Sequence, residues 1–230
     1  MERVAFRRQP ADDGAAESAE SLTERAYRAL EEEIVTLQLP PGTVVSEGML
    51  SERLGIGRTP IREALQRLAR ERLVVIMPRR GIVVAEENVK TQLRLIELRR
   101  EVERFLARAA ARRATPEQRR RFAAVADGME AAARSEDDIL FMRLDRELNL
   151  LTVDAARNEF AAGTMSLMHG LSRRFWYIHY KQVADLPLAA RLHADEARAI
   201  AAADADEASK ASDRLIDYIE RFARATVSPD

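Results

Sequence analysis

The sequence contains no cysteine, which excludes a disulfide framework, a thiolate nucleophile and a cysteine-ligated zinc cluster. No apolar run approaches the roughly 18 residues that a membrane-spanning helix needs. Met1 to Ala19 also lacks the hydrophobic stretch of a secretory signal, so the expected setting is the cytoplasm, with no membrane partner. A glycine-rich phosphate loop, a metal-hydrolase motif and a nucleophile spaced with a base are likewise missing. The formal net charge is only −1, with 33% charged residues, so the chain is no polycation and any affinity for nucleic acid must arise from a local patch. With 230 residues it is long enough for two small domains.

What is present is concentrated between Leu50 and Val84. Upstream, Ala26, Tyr27, Leu30, Ile34 and Leu37 recur at helical spacing behind the capping box Ser21-x-x-Glu24, and Leu39-Pro40-Pro41-Gly42 stops that helix. Ser46 caps a second helix with Met49, Leu50 and Leu54 inward and Gly55 as its left-handed exit. A third helix opens with Thr59 as N-cap and Pro60 at its first position. Ile61, Ala64, Leu65 and Leu68 form its core face, which turns Arg58, Arg62, Gln66 and Arg70 outward. Leu73–Ile76 and Ile82–Val84 then bracket Pro78-Arg79-Arg80-Gly81, a hairpin with a basic tip. From Arg53 to Arg80 there are eight arginines against two acids, and such a local excess is an electrostatic footprint for DNA. Helix-turn-helix units also serve as protein-protein modules, and arginines also occur as plain solvated surface.

From about residue 88 onward strand signal nearly vanishes, and alanine, leucine, arginine and glutamate recur at helical spacing. The pattern predicts six helices: 88–113, 116–133, 136–154, 157–183, 187–202 and 204–225. Thr115-Pro116-Glu117-Gln118 supplies a capping residue, a proline at N1 and a glutamine at N3. The fold expected is therefore mainly α: an N-terminal winged helix-turn-helix over 21–85, then an all-α antiparallel bundle of about six helices over 86–230. Residues 1–20 form a polar leader whose composition favours disorder.

Gly57-Arg58-Thr59-Pro60-Ile61-Arg62-Glu63-Ala64-Leu65, with Pro41-Gly42 before it and Arg80-Gly81 after it, resembles the winged helix of GntR-family transcriptional regulators. The helical second half resembles that of the FadR-type branch, with its FCD-like effector-binding and dimerisation domain. That resemblance implies DNA contact by Arg58, Thr59, Arg62, Arg79, Arg80 and Gly81. In the second half, Leu98-Arg99-Arg100-Glu101-Val102-Glu103 is similar to a motif whose Arg99 position faces a ligand cavity. Leu144-Asp145-Arg146-Glu147-Leu148-Asn149 is similar to one whose aspartate and following histidine bind a divalent metal in many members, and His193 matches a further ligand position. Here the second and last ligand positions hold Asn149 and Leu215, which leaves too few strong donors for a tightly held zinc or nickel. At most a weakly bound divalent metal on Asp145 and His193 is expected, and no other cofactor.

The effector residues expected are Arg99, Asp145, Asn149, Arg174, His179 and His193. Over Met165–Tyr180 the face of Met165, Met168, Ser172, Phe175 or Trp176, and His179 suits a pocket wall or plain core packing. Arg173 or Arg174 suits a ligand carboxylate or an acid on a neighbouring helix. The expected protein is a dimeric regulator, a repressor bound to a palindromic operator on double-stranded DNA and modulated by a small organic acid. The alternatives are a winged-helix interaction module, or an enzyme built on Asp145, His179 and His193.

Overall fold

The computed structural model describes residues 20–79 and 81–226. Most of the predicted leader, and Arg80, therefore lie outside the described residues. Helix α1 (Leu22–Val35) is followed by β1 (Val44–Val45), α2 (Glu47–Leu54), α3 (Arg58–Arg70), β2 (Val74–Met77) and β3 (Gly81–Val84). Six helices complete the described chain: α4 (Val89–Arg113), α5 (Pro116–Ser135), α6 (Asp138–Ala156), α7 (Glu159–Val183), α8 (Leu186–Ala201) and α9 (Ala205–Ala225).

In the first unit Ala26, Leu30 and Ile34 of α1 pack with Leu50 of α2, and Ile61, Ala64, Leu65 and Leu68 of α3 share the same core. Ser21 accepts the Glu24 N–H as expected of a cap, but the Glu24 carboxylate reaches Arg67 instead of closing the box. Ser46 caps α2 and Gly55 ends it at φ 63°. Met49 is 42% exposed, so Leu50, with the half-buried Leu54 packed beside the core, anchors that short helix. Leu37 lies beyond α1 with φ 62°.

Thr59 is not the N-cap of α3. Ile61 N–H bonds to the Gly57 carbonyl, so the helix begins at Arg58 and Gly57 is its cap. Pro60 then sits third in the first turn, where an amide N–H has no intrahelical partner in any case. The expected hairpin is present, with β2 and β3 antiparallel and Met77 opposite Gly81. A strand that the sequence pattern does not reveal, β1, pairs with the other side of β3 and makes a three-stranded sheet in the order β1-β3-β2. Two residues are too few for period-2 alternation to register.

In the helical half α5 lies against α8 and α4 against α9. Ala189, Ala190, Ala194 and Ala197 of α8 are all fully buried beside Phe122, Val125, Ala126 and Met129 of α5. Small side chains on one helix let the other approach closely, while the aromatic and methionine side chains fill the remaining volume. Asn88, Thr115, Asp137, Asn158, Asp185 and Asp204 each accept an N–H from the first turn of the helix that follows. Among the described residues no helix is long and apolar enough to cross a membrane.

The two halves meet along α7. Leu171 packs against the winged-helix core. A Cβ at Gly170 would fall 2.6 Å from Leu73 Cδ1, so a side chain there would force either Leu73 or the seam to shift. Arg174 donates to the Ala85 carbonyl at 2.8 Å. Arg173 reaches Glu31 and Glu32 of α1 at 2.7 and 3.3 Å.

Candidate nucleic-acid interface and buried polar cavity

The turn Gly55-Ile56-Gly57 brings α2 across the start of α3, leaving Arg58, Thr59 and Arg62 exposed on one side. Nε and Nη2 of Arg62 each lie 2.8 Å from a Glu47 carboxylate oxygen. That bidentate pair holds the guanidinium extended at the surface, where an anion can displace the glutamate. The arginine count overstates the free charge, because Arg53 pairs with Glu33 and Arg67 with Glu24 and Glu71. Arg67 also lies 3.4 Å from the Tyr27 ring centroid, so it clamps α1 to α3. Among the described residues Arg58, Arg70, Arg72 and Arg79 are exposed arginines of this region without an acidic partner. In the wing, Gly81 has φ 96° and a Cβ there would meet the Val45 carbonyl at 3.2 Å. Its place is therefore to bring the hairpin tip close to β1, with the exposed Arg79 beside it supplying charge.

The second site is a cavity of about 70 Å³ enclosed by α4, α6, α7, α8 and α9. Arg99 and Glu103, one turn apart on α4, form a buried ion pair at 2.6 Å. From α6 Asp145 Oδ1 meets His193 Nε2 of α8 at 3.1 Å, and Asn149 donates its amide to Asp145. His193 Nδ1 lies 2.7 Å from the Ala189 carbonyl, so that nitrogen carries a proton and Nε2 faces the carboxylate. Burial alone would push the His193 pKa down; the hydrogen bond and charge of Asp145 outweigh it and hold the pKa up. Burial would likewise raise Asp145, but His193, followed by Arg173, holds it low. Both shifts favour the charged forms of the pair. Glu196 differs: burial and then the charge of Glu103 push its pKa up to about 8, so it is a neutral acid at pH 7. His169 is held below the usual histidine range, chiefly by burial.

Arg99, Asp145, Asn149 and His193 thus come together at the cavity as the sequence suggested. Arg174 and His179 do not. Arg174 points to the segment between the two halves and bonds the Ala85 carbonyl, and His179 Nε2 lies 3.3 Å from Glu87. The cavity face of α7 is Met165, His169, Ser172, Arg173, Phe175 and Trp176, so Met165, Ser172 and both aromatic candidates of the predicted face line it, while Met168 and His179 do not. Spacing alone does not fix the ends of that stripe, because His179 lies about four turns beyond Met165 and reaches past the cavity. Of the pair offered for a ligand carboxylate, Arg173 lines the cavity and Arg174 does not, whereas His169 and Glu196 escape assignment because neither belongs to a motif that singles it out.

A metal does not fit these donors. Asp145 and His193 satisfy one another directly, Asn149 is turned with its N–H groups toward Asp145, and Leu215 lines the wall where a last ligand would be needed. Among the described residues no three histidine, cysteine or carboxylate side chains are grouped for a metal ion.

A three-helix unit with a basic wing, joined to a helical bundle around a polar cavity, defines a DNA reader with a built-in ligand chamber. The comparisons with known proteins place it further. The model of bacterial regulatory proteins of the gntR family matches residues 22–84, and the FCD domain model matches residues 94–218. The chain belongs to the GntR family of transcriptional regulators, with an FCD ligand-binding domain. Its relatives are regulators, not enzymes. It is 26% identical over 203 residues to the HTH-type transcriptional repressor RspR of Escherichia coli K12, covering 88% of this chain and 89% of that one. With the Nta operon transcriptional regulator of Aminobacter aminovorans it shares 30% identity over 129 residues, covering 54% of this chain and 59% of that one. The fold is shared with E. coli McbR/YncC at a TM-score of 0.76 and 18% identity, over 91% of this chain and 100% of that one. A GntR regulator of Rhodococcus sp. RHA1 aligns at a TM-score of 0.68 and 20% identity, over 88% of this chain and 97% of that one.

Proposed function

We propose that the chain is a cytoplasmic, dimeric repressor whose winged helices bind a palindromic operator and whose helical domain responds to a small organic acid. The observation that carries the ligand half of this reading is the distribution of buried polar atoms lacking a protein partner. Among the described residues eight such side-chain atoms are found, and five of them, Thr152 Oγ1, His169 Nε2, Ser172 Oγ, Arg173 Nε and Trp176 Nε1, belong to residues lining the cavity. Each costs about 1–3 kcal/mol while unpaired. Arg173 Nε and Trp176 Nε1 only donate, and the hydroxyls can donate, so the group that satisfies them is rich in oxygen acceptors. A carboxylate with neighbouring hydroxyl or carbonyl oxygens has that chemistry.

The DNA half rests on Arg58, Arg62 and Arg79 being exposed together with a wing. Base edges met by Arg58 or Arg62 contribute about 1–3 kcal/mol of discrimination each, and phosphate contacts supply salt-dependent affinity. Leu98, Leu150, Phe160 and Leu167 are 47–79% exposed on α4, α6 and α7, which supports burial against a second copy. A twofold dimer in turn matches a palindrome. The repressor RspR carries this sign of regulation in its name.

Selection of bound sequences from a random duplex pool, with and without a panel of organic acids, tests the reading. Enrichment of a palindrome whose binding one acid alters is expected, and no enrichment at low salt would overturn it. Arg62→Ala is expected to weaken binding to the selected operator about tenfold or more while the helical domain remains folded. Unchanged binding in a mobility shift assay would remove Arg62 from the interface.

A further inference from the structure

We infer that Arg173 is the residue through which an acidic effector is read and also the residue through which its arrival reaches the winged helix. This deepens the ligand reading above and rests on it. Arg173 lines the cavity from α7, yet its guanidinium extends out of the bundle to α1. Nη1 holds Glu31 at 2.7 Å, and Glu31 is itself buried. Nη2 holds Glu32 at a longer 3.3 Å, with the Glu32 side chain 47% exposed. Nε, buried, has no acceptor.

The geometry of a guanidinium makes this division informative. Nε and Nη2 form one edge that matches the two oxygens of a carboxylate, and Nη1 stands apart from it. In the present structure that edge is half used: Nη2 is loosely engaged and Nε is open. A carboxylate entering the cavity completes it by taking both nitrogens. Three carboxylates around one buried guanidinium leave an excess negative charge that burial penalises, so one must leave. Glu32 has the longer contact, the greater exposure and a second cation within reach, Arg146 of α6 at 3.8 Å. The acid therefore displaces Glu32 from Nη2 while Glu31 keeps Nη1, and α1 shifts with the lost contact. Because α1 shares one core with α2 and α3, α3 and its exposed Arg58 and Arg62 move with it.

This arrangement makes an unusual demand. A residue of the winged helix, outside the cavity, competes with the effector, so removing its charge must tighten effector binding. By linkage, the same change must also weaken the effector's influence on DNA. A purely structural Arg173 clamp makes neither demand.

Calorimetric titration of the wild-type protein with acetate, glycolate, malonate, succinate and citrate identifies the acid to be used as probe. Arg173→Gln is then expected to lose tenfold or more in affinity for it, with Arg173→Lys intermediate because it keeps the charge and loses the edge. Glu32→Gln is expected to bind the same acid several-fold more tightly and to show a smaller change of operator affinity when it is added. Circular dichroism establishes that each variant is folded, and Glu32→Gln, half-exposed, carries the test if both Arg173 variants misfold. Unchanged acid affinity in folded Glu32→Gln overturns the inference while leaving the ligand reading intact. If none of the five acids binds wild type, the ligand reading itself fails and the inference with it.

Discussion

Glu196 shows how far a single side chain is governed by its surroundings. Its carboxyl is enclosed by α8 and its neighbours, with the Glu103 charge close by, and its pKa stands at about 8 against an ordinary 4.5. Between those two values the unfolded chain has released a proton that the folded chain still holds, so this group makes stability fall as pH rises through the window. Glu196→Gln, which copies the neutral acid, is expected to leave the melting temperature nearly unchanged at pH 4.5 and to raise stability by a few kcal/mol at pH 8. Calorimetry across that range checks it, and a pH-independent effect would show that Glu196 is ionised in the folded protein. His193 carries the opposite lesson about legibility. Its match to a ligand position of the resembled family assigned it to the pocket, but nothing in the sequence says that Asp145 would hold its pKa up. Arg173 and Arg174 are adjacent and chemically identical, and only their angular positions on α7, set by the packing of that helix, separate a cavity residue from one that fastens the segment between the two halves.

At the level of the element, capping chemistry was the most readable signal. Thr115 with Gln118 makes a full reciprocal box, and side-chain oxygens at the other bundle helix starts fix those boundaries within two or three residues of the pattern. Short-range hydrogen bonds decide such ends, so a local sequence is enough. Where the competition is between neighbouring candidates the sequence is less decisive, as at α3, where the Gly57 carbonyl starts the helix two residues ahead of Thr59. Helix ends also carry a testable cost. Ala203, just after α8, is exposed and has φ 61°, a region that an L residue enters at a cost of about 1–2 kcal/mol and glycine enters freely. Ala203→Gly is expected to stabilise the protein by about 0.5–1 kcal/mol, measured as an increase in the denaturant midpoint at constant slope. A decrease would mean that the turn is held by more than its backbone angle.

For the whole molecule the decisive feature is the seam along α7, which forms one wall of the cavity and also carries the winged helix. Gly170 marks its closest point. In an isolated helix Gly170→Ala would be favourable by about 1 kcal/mol; here the added Cβ would overlap the buried Leu73. The variant is expected to widen the separation of the two halves and to lower the melting temperature despite the better helix propensity. Because the chain has no cysteine, spin labels at Glu52→Cys and Arg120→Cys report that separation without background. A distance distribution equal to that of the parent would show that Leu73 yields instead of the seam.

The two kinds of structure, the helix count of the second half and the outward face of α3 with Arg58 and Arg62 are legible in the sequence alone, and family resemblance adds Arg99, Asp145, Asn149 and His193 at the cavity. Those properties follow from periodicity, caps and short motifs, which act over a few residues. The third strand, the turning of α7, the pairing of Arg62 with Glu47 and the bridge from Arg173 to Glu31 and Glu32 were decided only by the tertiary structure. Each depends on residues distant in the chain meeting at hydrogen-bond distance, and the sequence does not encode that separation as a local pattern.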